Sequence, residues 1–119
     1  MYGTDLHILK GDLPAVTDGR ILGHEAVGTV DAVGAAVTTL EVGDRVLGPA
    51  SPRAVSAASA GTDAKGQCLG GCGWILGHTI DGTQAEYVRV PFADTSTHPV
   101  PAGVTDEQIL MLADILPTG

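Results

Sequence analysis

Aromatic side chains are nearly absent, with one Phe, one Trp and two Tyr in 119 residues. A chain this poor in large apolar groups is badly suited to a helical bundle, whereas 17 glycines and seven prolines favour short strands joined by turns. Cysteine is also scarce. The two cysteines, Cys68 and Cys72, do not make the disulfide framework of a small secreted protein, so a reducing cytoplasm is the expected location. Basic residues are few: six Lys and Arg against 14 Asp and Glu leave a net charge of −8, which repels nucleic acid and anionic membranes as partners. No apolar run approaches the roughly 20 residues that span a bilayer. Asp5, His7, Lys10 and Asp12 break up the apolar stretch that a secretory signal would need. The length suits one domain with a modest core.

What is present divides into short elements. The segment 1–19 is mixed and turn-rich, punctuated by Gly3, Gly11, Pro14 and Gly19. Ile21 to Val33 reads as strand, with Val27, Thr29, Val30 and Val33 among small residues. Gly34 and Gly43-Asp44 read as turns, Arg45-Val46-Leu47 as a short strand, and Gln84 to Val90 as another that Pro91 ends. The clearest helix comes late. Thr105 and Gln108 have capping-box spacing, Asp106 and Glu107 suit the positive end of the helix dipole, and Ile109, Leu112, Ala113 and Leu116 form an apolar stripe. In contrast, 49–66 is a run of Ala, Ser, Gly and Pro that buries too little surface to offset its ordering entropy, and a poorly ordered loop is expected there.

One constellation carries chemistry. Gly23-His24-Glu25 sets a histidine beside a carboxylate between glycines, and Ala26-Val27-Gly28-Thr29-Val30 and Gly43-Asp44-Arg45-Val46 follow it. The stretch ILGHEAVGTVDAVGAAVTTLEVGDRVL resembles the catalytic domain of zinc-dependent alcohol dehydrogenases, the medium-chain dehydrogenase/reductase family. The resemblance continues through GWILGHTIDGTQAEYVRVPFADTS and ends at Leu116-Pro117-Thr118-Gly119. It implies a mainly β fold, the GroES-like, partly open β-barrel, here incomplete, missing its first strands and carrying a C-terminal helix. It further implies hydride transfer between a small alcohol or carbonyl substrate and NAD or NADP, with zinc at the catalytic site.

The family's ligands map residue by residue. Its cysteine ligand belongs to a Cys-Gly-Thr-Asp run, and here the run is Tyr2-Gly3-Thr4-Asp5, so a phenol replaces the thiolate. A phenol with pKa near 10 is a rare zinc ligand, so zinc affinity should be weakened. His24 matches the histidine ligand, Glu25 the neighbouring glutamate, and Asp114 in LADILPTG the remaining aspartate. By the same resemblance the Thr4 hydroxyl takes the alcohol proton and His7 passes it towards solvent, work that suits a group titrating near neutrality. Trp74 matches an aromatic wall of the substrate pocket. Read alone, His7 is better taken as an exposed surface histidine, and Trp74 equally as a core side chain.

A second metal lobe is altered. Where the family carries Cys-x2-Cys-x2-Cys-x7-Cys for a structural zinc, the matching positions are Ala54, Ala57, Ala60 and Cys68. A GC-rich gene read one base out of frame converts TGC cysteine codons into alanine codons, so 53–65 reads as an out-of-frame copy of that lobe. The alternative is a low-complexity loop in a relative that never had one. No Gly-x-Gly-x-x-Gly stretch occurs, so no dinucleotide cradle is assigned and no nucleotide-binding domain is expected in residues 1–119. The sequence thus reads as a truncated dehydrogenase catalytic domain, inactive alone. The rival is a non-enzymatic remnant or an interaction module pairing with a full-length relative. A GroES-type co-chaperonin rests on fold analogy only and leaves His24, Glu25 and Asp114 unexplained. Truncation should leave a strand edge unpaired and an apolar face uncovered.

Overall fold

The computed structural model describes residues 3–48, 74–114 and 116. The expectations for Tyr2, for the alanine-rich loop and for Cys68 and Cys72 lie outside these residues. In chain order the elements are α1 (Gly3–Leu9), β1 (Ala26–Thr29), β2 (Arg45–Gly48), α2 (Ala93–Ser96), β3 (His98–Pro99) and α3 (Asp106–Leu110).

The three strands form one antiparallel sheet in the order β1-β2-β3, not closed into a barrel. Ala26 lies opposite Gly48 and Thr29 opposite Arg45, while Leu47 faces His98 on the other side. The Val30 amide donates to the Asp44 carbonyl at 2.8 Å and so sets the hydrogen-bonding phase of the hairpin. Leu47 points into the core with Ile109 and Ala113, and Val27, Val100 and Val104 pack around them. The late helix therefore covers the sheet.

The α3 N-terminus follows the sequence closely. Thr105 accepts the Gln108 amide, and the Gln108 side chain accepts the Thr105 amide, so both halves of the capping box form. The apolar stripe is only half realised. The helix ends at Leu110, so Ile109 and Ala113 are buried while Leu112 and Leu116 stay exposed. Residues 111–114 form turns, and Leu116 is helical again, so the i, i+3, i+4 spacing of one continuous helix no longer puts all four on one face.

Three further expectations are corrected. The strand over Ile21 to Val33 is confined to Ala26–Thr29, because the flanking backbone bonds elsewhere. Gln84 to Val90 joins no ladder among the described residues. The turn-rich opening contains α1, which has no sequence signal beyond Asp5 in its first turn.

Asp94, on α2, holds the loop that joins β1 to β2. Its carboxylate accepts the Thr38 and Thr39 amides and both hydroxyls, the shortest being Thr39 Oγ1 at 2.6 Å. These bonds, those from Thr39 foremost, hold its pKa down to about 2 from 3.8. A depressed carboxylate contributes stability that is fully present above its unfolded-state pKa and is lost as pH falls through the folded-state value. The parent and Asp94→Asn chains should therefore differ most above pH 3.8 and converge towards pH 2. Acid titrations followed by circular dichroism check this; a difference that stays constant across that window refutes it.

Candidate active site

The site begins with a contact that only glycine permits. The 82–84 segment lies against 21–23: the Gly82 amide donates to the Ile21 carbonyl at 2.8 Å, Thr83 to Gly23 at 3.0 Å and Gln84 to Leu22 at 3.0 Å. Gly23 (φ +93°) and Gly77 (φ +69°) occupy the left-handed region, and a Cβ on Gly77 would stand 2.8 Å from Gly23 N and O. Asp81 caps the start of this contact. Its Oδ1 accepts the Ile21 amide and pairs with Arg20, both at 3.2 Å. The Thr83 hydroxyl donates to the Glu25 carbonyl at 2.8 Å.

Held by this frame, His24 is buried, and its Nε2 lies 3.2 Å from Asp114 Oδ2, a partner 90 residues away in sequence. Trp74 stands edge-on to His24 with ring centroids 6.1 Å apart, and stacks on His78 at 4.5 Å. His78 Nδ1 in turn lies 3.0 Å from the Trp74 carbonyl. The Trp74 indole Nε1 is buried without a hydrogen-bond partner among the described residues.

Not every predicted residue joins this group. Glu25 is half-buried, and among the described residues no cluster of three or more His, Cys, Asp or Glu could hold a metal ion. His24 and Asp114 nevertheless offer one nitrogen and one oxygen of the types zinc accepts, in a buried place, so the donors present suit that metal as part of a ligand set. Thr4 and His7 lie on α1 at i, i+3 spacing, which puts them on one side of the helix. Thr4 is half-buried, and His7 is exposed with Nδ1 2.8 Å from Asp12 Oδ2.

Sequence reasoning missed two residues. Asp5 is only 2% exposed and accepts a 2.8 Å hydrogen bond from Gln84 Nε2, so it ties α1 to the glycine frame. Only its place in the Tyr2-Gly3-Thr4-Asp5 run marked it. His78 carries no motif at all and is found through its stacking on Trp74.

Residues 1–102 match the family profile of the alcohol dehydrogenase GroES-like domain. The chain belongs to the alcohol dehydrogenase family. An alcohol dehydrogenase of Cupriavidus necator is 47% identical over 98% of this chain and 36% of its own length. A zinc-type alcohol dehydrogenase of Aspergillus flavus is 36% identical over 100% of the chain and 27% of its own length. Among solved structures, the apo form of zinc-dependent alcohol dehydrogenase 2 from Streptococcus pneumonia superposes with a TM-score of 0.88. It is 41% identical and aligns over 94% of this chain and 32% of its own. The alcohol dehydrogenase TADH from Thermus sp. ATN1 gives 0.85 at 34% identity, over 98% and 34%. The chain thus spans about a third of the length of the relatives it matches. The fold is the GroES-like domain of these dehydrogenases, and the open three-stranded sheet is part of that architecture. No helix among the described residues is long and apolar enough to cross a membrane.

Proposed function

We propose that this GroES-like domain is the metal- and alcohol-handling part of a zinc-dependent, NAD(P)-linked alcohol dehydrogenase, and that it turns over no alcohol alone. The approach of His24 to Asp114 across 90 residues of sequence carries the reading. In it, His24 and Asp114 hold the metal, with Glu25 beside them, and zinc when bound makes an alcohol hydroxyl more acidic.

This chain's own residues do the rest. Thr4 Oγ1 accepts the alcohol proton and gives up its own towards His7. Asp12 orients the imidazole: when Nδ1 donates to Asp12, Nε2 is left as the acceptor. Trp74 walls the substrate, as its position beside His24 suggests. Hydride transfer also needs a nicotinamide held against the alcohol carbon, and the sequence contains no Gly-x-Gly-x-x-Gly cradle for it.

Two assays test the reading. Equilibrium dialysis against zinc should show uptake by the parent chain, and an uptake no greater than that of a buffer blank rejects it. With zinc, NAD or NADP and small secondary alcohols, the purified chain should reduce no cofactor; turnover above blank overturns the inactivity.

A further inference from the structure

The chain's single tryptophan is held between two histidines, and the metal reading uses only one of them. Trp74 stands edge-on to His24, with centroids 6.1 Å apart. On its other side the His78 ring lies almost parallel to it, 15° from coplanar with centroids at 4.5 Å. A buried indole is ordinarily oriented by a hydrogen bond from its N–H. Here Nε1 is buried with no partner among the described residues, so ring contacts are left to set its direction. Contact between two aromatic rings favours one arrangement over another by roughly two- to tenfold.

His78 is itself fixed by its turn. The His78, Thr79 and Ile80 amides donate to the Ile75 carbonyl at 3.1, 3.0 and 3.1 Å, and the Gly77 amide donates to the Ile80 carbonyl at 3.0 Å. Leu76, 1% exposed, anchors this turn in the interior. The imidazole then folds back on Trp74. Its Nδ1 lies 3.0 Å from the Trp74 carbonyl, and a carbonyl only accepts, so Nδ1 carries the proton. One ring thus grips both the main chain and the indole of Trp74. Gly77, the residue before His78, packs on Gly23, the residue before His24. The clamp on the tryptophan and the support of the buried histidine therefore belong to the same turn.

We propose that His78 is a positioning residue for the alcohol site, holding the Trp74 ring at a set distance and angle from His24. This role rests on the reading of Trp74 as a wall of that site. Without the imidazole face the indole is free to tilt away from His24, and the space beside that histidine widens.

Fluorescence of the full chain tests this, because it reports Trp74 and no other tryptophan. His78→Ala should raise the acrylamide quenching constant about twofold or more, with far-ultraviolet circular dichroism unchanged. His78→Phe restores a flat ring without the Nδ1 bond and should recover roughly half of that rise or more. Thr79→Ala, exposed and in the same turn, should match the parent. An unchanged constant in His78→Ala overturns the proposal, as does an equally large rise in His78→Phe or Thr79→Ala. If His78→Ala does not fold, the parent decides. Time-resolved anisotropy should show its indole turning with the whole molecule, and fast independent rotation overturns the proposal. Trichloroethanol, an alcohol that quenches indole on contact, separates the clamp from the reading beneath it. With zinc added it should quench the parent saturably and bind His78→Ala about twofold or more weakly. Equal affinity for both rejects the positioning role. Quenching of the parent that rises linearly without saturation rejects Trp74 as the substrate wall, whatever acrylamide shows.

Discussion

Gly82→Ala should abolish folding or destabilise the chain by roughly 3 kcal/mol or more, the upper range for overpacking a site that cannot relax. A Cβ at Gly82 would stand 2.0 Å from Gly23 O and 2.6 Å from Leu22 O. Both atoms are backbone, and both carbonyls accept hydrogen bonds from the 82–84 segment, so no rotamer change relieves the clash. Moving the two segments apart would break those bonds and displace Gly23, the residue before His24. Gly34→Ala is the matched control, since a Cβ there meets nothing within 4 Å. Urea unfolding followed by circular dichroism compares the two. A Gly82→Ala chain within about 0.5 kcal/mol of the parent would show that the glycine contact is not needed.

His24→Ala should remove zinc uptake by more than the roughly 100-fold that loss of a supporting outer-shell contact costs. The reason is that His24 supplies the imidazole nitrogen of the pair, which lies 3.2 Å from the Asp114 carboxylate. Taking it away leaves carboxylate oxygen without the nitrogen ligand that zinc favours. Asp114→Asn keeps a weak oxygen donor and the shape of the side chain, so its loss should be smaller. Equilibrium dialysis gives both numbers, with circular dichroism confirming that each variant is folded. Equal zinc content in parent and His24→Ala would remove this histidine from the metal site.

Legibility in the sequence depended on how local each feature is. The α3 cap was readable because Thr105 and Gln108 are three residues apart and satisfy each other. β2 was readable because Gly43-Asp44 ends a turn directly before it. The length of α3 was not, since nothing local to Leu112 and Leu116 says that the helix stops at Leu110. The strand expected over Gln84 to Val90 has the right composition but no neighbour among the described residues, and strand propensity forms no ladder without one. The pairing of His24 with Asp114 came through family resemblance, because no periodicity links residues 90 apart. Gly77 and Gly82 carry no local signal that sets them apart from other glycines. Their packing on Gly23 exists only once two distant segments meet.

That meeting also has a closure cost. β1 and β2 are joined by a short loop, whereas 21–23 must find 82–84 about sixty residues away, and His24 must find Asp114 farther along still. Loop-closure entropy grows only slowly with length, by about 0.6 kcal/mol per doubling, but it must be met before these contacts return anything. Contacts of high sequence separation slow folding for that reason. The β1–β2 hairpin meets the smallest of these closure costs, and the glycine contact and the approach of His24 to Asp114 meet larger ones.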